Sequence, residues 1–204
     1  MSLSLFIYKS INKLLFILGN IWNKMCTYII FICNNVKHRN FRTGGIPYIM
    51  VERNSKGISI GENFAMNNGI KYNPIGIPQP CSLVVYIGGS IKIGNNVGIS
   101  QTALVAHNDI TIGDNVKIGG GCCIYTSDFH SLDPKIRRTK EDCKNRKTAP
   151  VHIGNDVFIG AHSIILKGVS IGDNSIIGAG SVVTKSIPEN QIWAGNPAIF
   201  IRNI

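Results

Sequence analysis

Residues 153–188 read IGNDVFIGAHSIILKGVSIGDNSIIGAGSVVTKSIP. Ile153, Ile159, Ile165, Ile171, Ile177 and Val183 follow one another at intervals of six residues without a break. Four places after each of the first five stand Val157, Ser163, Val169, Ser175 and Ser181, all small or β-branched. Glycine directly follows the aliphatic residue at Gly154, Gly160, Gly172 and Gly178. A six-residue period fits neither an α-helix nor a lone alternating strand. It fits a solenoid in which each coil is three short strands with a turn at each corner, about 18 residues per coil. Every sixth aliphatic side chain then points inward and stacks on its counterpart one coil away. The I-G-D-N and I-G-N-N segments place glycine and asparagine where corners demand positive φ.

Upstream, the same spacing runs through Ile87, Ile93, Ile99 and Val105, and after one extra residue resumes at Ile112, Ile118 and Ile124. The segment around Ile60 is a weaker first copy. Two stretches interrupt the pattern. Residues 67–82 hold three prolines, and residues 126–150 form a longer, highly charged loop between two regular coils. A long loop inside a compact repeat array is often functional. The expected organisation is an N-terminal helix and basic connector over 1–57, a parallel β-helix of roughly six coils over 58–187, and a C-terminal tail over 188–204. Handedness does not follow from spacing.

Residues 3–33 read as one amphipathic helix. Ile7, Ile11, Leu14, Leu18, Ile21, Met25, Tyr28 and Ile32 alternate at four- and three-residue steps and so line one face. That stripe is expected to pack on the body or a sister subunit, or else to lie in a membrane interface. Lys9 and Lys13 break the early apolar run, and no small-residue cleavage site follows, which argues against a signal peptide. Asn20, Asn23 and Lys24 would lie near the middle of a membrane span, where charge is costly.

The net charge of +10 is uneven: residues 1–57 carry eight Lys/Arg against one acid, and residues 126–150 seven against four. Basic segments attract nucleic acid, anionic lipid or phosphorylated ligands. No nucleic-acid-binding motif accompanies these, so nucleic acid is not an expected partner. The six cysteines show neither a C-x-x-C pair nor zinc spacing and read as reduced thiols of a cytoplasmic protein.

The stretch 153–188, together with A-G-N-P-A at residues 194–198, resembles the hexapeptide-repeat acetyltransferases, nearest to the galactoside/maltose O-acetyltransferase branch and its capsule-polysaccharide relatives. The resemblance covers roughly residues 58–204. It implies a left-handed β-helix and a homotrimer with active sites between subunits. It also implies acetyl-CoA as cosubstrate, a sugar or saccharide acceptor, and no metal. The family's catalytic histidine lies at the start of the extruded loop, which assigns His130 as general base. Asp128 is the nearby acid expected to orient its ring. Ala161, Ala179, Thr184, Lys185 and Arg202 fall at cofactor-binding positions, the last two as partners for phosphate. Ser100 or Gln101 falls near the position at which the family places an asparagine on the neighbouring subunit to help bind the reacting groups, so the oxyanion partner is open. Arg137 and Arg138, with Lys135 and Lys140, are candidates for an acidic or phosphorylated acceptor. Asp133-Pro134 reads as a turn former.

Other readings use the same repeat. An amino-sugar N-acetyltransferase and a chloramphenicol-type acetyltransferase share the fold. So do a catalytically silent scaffold and a zinc-dependent carbonic anhydrase-like protein. Zinc catalysis needs three converging histidines, and no suitable pair accompanies His107 or His130.

Overall fold

The computed structural model describes residues 3–204. The body is a left-handed parallel β-helix with three sheets as its faces, of six, eight and six strands. Six complete coils occupy residues 37–51, 58–85, 90–106, 109–125, 151–165 and 170–183, each contributing one strand to every face.

The inward stacks are those the six-residue period implies. On one face Ile99, Ile118, Ile159 and Ile177 are successive register partners. On another, Leu83, Leu104, Ile124, Ile165 and Val183 are partners in turn, each at most 1% exposed. The small positions Val157, Ser163, Val169, Ser175 and Ser181 are all buried. The buried serine hydroxyls donate to backbone carbonyls, Ser163 to Gly160 at 2.8 Å and Ser181 to Gly178 at 2.6 Å, so they carry no unmet hydrogen bond. At one corner Asn63, Asn96 and Asn115 all have positive φ, and their side-chain amides bond to one another from coil to coil at 3.0 and 3.1 Å.

Two expectations of register are corrected. Ile87 is 60% exposed in a turn, and Leu104 rather than Val105 faces the core. The corner after Ile99 is a residue shorter than its counterpart after Ile118, since inward residues are five apart in one case and six in the other. The β-helix also begins before residue 58. Residues 37–51 pair in parallel with the next coil through His38↔Ile60, Phe41↔Phe64 and Ile49↔Leu83. The connector is therefore the first coil. Its inward residues include Phe41 and Thr43, which hide the aliphatic period. At the other end Gln191–Gly195 adds in parallel to the second face and folds back through an antiparallel strand, Ala198–Asn203.

Helix α1 spans Leu3–Cys33. Its side against the body mixes polar and aromatic residues, with Phe16 beside Tyr72. Asn23 and Thr27 are buried, and Asn23 Nδ2 donates to the Tyr72 hydroxyl at 2.6 Å. Phe31, fully buried, packs its ring at a tilt against His38 and Phe41 and covers the first coil. The apolar stripe from Ile7 to Ile32 is largely uncovered: its eight members are 47–62% exposed, and Tyr28 meets the body edge-on at the His38 ring, 5.8 Å away.

Candidate active site

The loop 126–150 leaves the third face after the fourth coil and returns to the first face of the fifth. Its base is fastened by Ser127 pairing with Thr148 and by the Asp128 N–H donating to Lys147 O at 3.1 Å. Asp133 caps the short helix α2, Pro134–Arg137, accepting from the Lys135 N–H at 2.7 Å, as a turn-forming Asp-Pro pair should.

His130 sits just before α2. The preceding Phe129 has φ of 63°, a conformation seldom taken by a bulky residue, and the His130 N–H closes a tight turn onto Asp128 O at 2.8 Å. The Phe129 ring is held edge-on by Tyr125 and His107 at 5.2 and 5.7 Å. Such local strain persists only where the surroundings enforce it. Here it turns the imidazole outward, with 63% of its side chain exposed.

The acid that meets His130 is Asp142. Its Oδ2 lies 2.6 Å from Nδ1, and its Oδ1 accepts the Ser131 N–H at 2.8 Å. The bond from His130, followed by that from Ser131, holds the Asp142 carboxyl below its ordinary pKa. With Nδ1 engaged, Nε2 is the ring atom facing outward chemistry. The expectation for Asp128 is corrected: its Oδ1 pairs with Lys167 Nζ at 2.7 Å, and both side chains are largely covered. Asp128 therefore pins the loop to the next coil, while Asp142 reaches His130 because 12 residues of loop fold back on themselves.

A second imidazole, His107, stands one coil below. It stacks flat on Tyr86 at 4.1 Å, and its Nδ1 lies 3.0 Å from Ser127 Oγ. Burial, then the positive charge of Arg146, lowers its pKa to about 4. His107 is therefore neutral at physiological pH and a weak base, suited to holding the loop base rather than to taking protons. The sequence marked His107 only as a repeat histidine. Its offset of 20 residues from Ser127, one coil in this part of the solenoid, was the available signal.

Gln101 does not face an open cleft. It is fully buried with φ of 46°, and its Nε2 donates to Asn73 O and Ile77 O, tying down the excursion 67–82. The Asn95–Asp114 and Asn155–Asp173 contacts lie at corners and are likewise structural.

The five cofactor candidates gather towards the C-terminal end of the β-helix. Ala161 and Ala179 occupy one corner on successive coils, linked by the Gly180 N–H donating to Ala161 O at 2.8 Å. Gly119 and Gly160 allow this stacking: a Cβ on either would lie 2.5 Å from the backbone nitrogen of Ala161 or Ala179. Thr184 and Lys185 line a cavity of about 340 Å³ with Trp193, Ala198 and Phe200. Arg202 is on the terminal strand opposite Ile192, exposed and outside that cavity. Arg137 donates to Ser131 O at 3.0 Å and so helps shape the loop, while Arg138 is exposed at the end of α2. The structure thus groups His130 with Asp142, and Thr184 with Lys185. Among the described residues the one compact set of possible metal ligands is His130, Asp142 and Cys143, on the exposed loop.

Residues 150–185 match the family model for the hexapeptide repeat of succinyl-transferase. The galactoside O-acetyltransferase of Escherichia coli is 42% identical over 118 residues, covering 57% of this chain and 56% of that one. Two solved structures share the architecture. AntD, an N-acyltransferase from Bacillus cereus in complex with dTDP and 3-hydroxybutyryl-CoA, is 26% identical with a TM-score of 0.65, covering 86% of each chain. A hexapeptide-repeat acetyltransferase of Vibrio cholerae complexed with acetyl coenzyme A is 28% identical with a TM-score of 0.52, covering 81% of this chain and 70% of that one. The chain spans about half the length of the curated relatives it matches first. The repeat and the three-faced coil thus make the chain similar, in sequence and in fold, to the hexapeptide-repeat acetyltransferases.

Proposed function

We propose that the protein transfers an acetyl group from acetyl-CoA to a hydroxyl of a sugar or saccharide acceptor, with His130 as general base. The observation that carries this reading is the 2.6 Å contact between His130 Nδ1 and Asp142 on the loop extruded from the coils. An alcohol is a poor nucleophile at neutral pH and gains from a positioned base. The carboxylate fixes the tautomer that leaves Nε2 unprotonated and stabilises the imidazolium as it forms. Nε2 takes the hydroxyl proton as the oxygen bonds to the thioester carbonyl carbon. The C–S bond then breaks, the imidazolium returns the proton to sulfur, and the products are an acetyl ester and free CoA.

The donor is assigned to the corner of Ala161 and Ala179 and the cavity of Thr184 and Lys185. Small side chains there admit the pantetheine arm to the backbone, and Lys185 supplies charge for phosphate. The resemblance to acetyltransferases and the CoA-bound solved neighbours support that assignment. The basic loop around Arg138 suits an acceptor carried on a phosphate or nucleotide. His130 has no wall opposite it within one chain, and Leu132 and Phe158 are exposed at 61% and 48%. A homotrimer, with a neighbouring chain completing each cleft, accounts for both.

A second reading, acylation of an amino sugar, is favoured by one observation: AntD covers 86% of the chain. One experiment separates the two. Thiol release from acetyl-CoA is followed with sugars, nucleotide-linked sugars, amino sugars and chloramphenicol, using wild type and His130→Ala. Turnover with hydroxyl acceptors that falls about 10²–10⁴-fold in the variant supports the proposal. Turnover confined to amines supports the second reading. Acceptor-dependent turnover that survives His130→Ala removes the base assignment.

A further inference from the structure

We infer that α1 docks the protein flat on an anionic lipid leaflet, its apolar stripe sunk into the interface and its other side holding the β-helix. The inference is independent of the acyl-transfer reading and rests on which side of the helix faces which surroundings.

A helix that packs on its own domain buries its apolar face; α1 buries Phe31 and sets Phe16 against Tyr72 but leaves its long apolar stripe uncovered. At 100° per residue, Asn20, Asn23, Thr27 and Phe31 lie on one side, and that side meets Tyr72, His38 and Phe41. The stripe from Ile7 to Ile32 runs about 38 Å along the other side, meeting the body only at its margin, where Tyr28 lies edge-on to His38. Trp22 and Ile29 widen it, at 58% and 52% exposed. A contiguous apolar surface of this extent marks an interaction site.

Charge selects the occupant. The first acidic residue of the chain is Glu52, and six Lys/Arg precede it. Two copies of such a segment laid together repel, whereas an anionic leaflet attracts them. Lys9 and Lys13 lie on the side away from the stripe, from which long side chains reach headgroups while the stripe is immersed. Trp22, Tyr8 and Tyr28, all exposed, are the amphipathic rings that favour such an interface.

Geometry selects the orientation. By length and composition α1 is apolar enough to cross a bilayer. Its C-terminal half, however, is attached to the body from Gly19, beside the Tyr72 hydroxyl, to the buried Phe31. The segment before Gly19 carries Lys9 and Lys13, charges that a membrane span would have to bury. In-plane binding lets both the packed half and the projecting half use one continuous stripe.

The test is co-sedimentation of the full-length chain with neutral phosphatidylcholine vesicles and with vesicles also containing phosphatidylglycerol, at low and high salt. Quenching of Trp22 by brominated lipid is read in parallel. Expected results are binding to the anionic vesicles that weakens with salt, and shallow quenching. Ile11→Lys/Leu18→Lys should lower partitioning at least about tenfold. Both positions are exposed, so its melting temperature and its acetyl-CoA turnover should stay at wild-type values. Lys9→Gln and Lys13→Gln should each lower partitioning about fivefold at low salt. Wild-type protein that stays in the supernatant with anionic vesicles would overturn the inference. Equal binding to neutral vesicles, or a change of oligomer mass in Ile11→Lys/Leu18→Lys with no change in partitioning, would do so too.

Discussion

Replacing Asp142 separates the contact that orients His130 from the one that holds the loop. In Asp142→Ala, the 2.6 Å partner of Nδ1 and the acceptor of the Ser131 N–H both disappear. A charge-assisted bond of this length in a covered site is worth a factor of roughly 10–100. The imidazole is 63% exposed, so water replaces part of the loss, and a fall in kcat of about tenfold is expected. Asp142→Asn keeps an oxygen acceptor and should lose less, about threefold to fivefold. KM for acetyl-CoA should not move, because Thr184 and Lys185 lie two coils beyond the base of the loop. Steady-state thiol release with a saturating acceptor reads kcat directly. Asp128→Asn is the control: it breaks the Lys167 pair and should lower the melting temperature more than kcat. If Asp142→Ala turns over at the wild-type rate while Asp128→Asn collapses, the orienting acid has been misidentified.

His107 gives a stability signature. Its folded pKa is about 4 against an ordinary 6.5, so it stabilises the fold fully above pH 6.5 and loses that contribution as pH falls towards 4. Partial exposure limits the loss to about 1–3 kcal/mol, and His107→Gln should flatten the melting curve against pH over that window. Lys185→Gln should raise KM for acetyl-CoA about threefold to tenfold with kcat unchanged, because a phosphate contact binds ground state and transition state alike. Isothermal titration with CoA, compared with dephospho-CoA, checks which phosphate it meets.

The coils were legible because Ile153, Ile159, Ile165, Ile171, Ile177 and Val183 each occupy the same place in a repeating turn, so a single local rule fixes them all. The rule fails where a turn changes length. The short corner after Ile99 shifted Val105 out of register, and Phe41 and Thr43 concealed the first coil by filling it with side chains of another shape. His130 was readable from its place in the extruded loop. Its partner was not, because loops carry no period, and the fold of 126–150 back on itself depends on the Asp133 cap, the Ser127–Thr148 pairing and the Asp128–Lys167 pair acting together. The stripe of α1 was also visible as a stripe. Which way it faced was not, since amphipathicity specifies that a helix has two sides and leaves open which is turned to the protein.

The antiparallel strand Ala198–Asn203 closes the second face against its own predecessor, and Phe31 covers the opposite end. A solenoid of parallel coils is otherwise a template that can add copies of itself without limit, since its last turn offers the same unpaired amides as every turn before it. Reversing the chain direction puts a row of hydrogen-bonding groups at that end which no incoming parallel coil can match in register. The remaining faces end in strands of only two residues, Ser170–Ile171 and Val182–Val183. The second face thereby ends in a strand that breaks the parallel pattern of its coils, a property that follows from the direction of six residues.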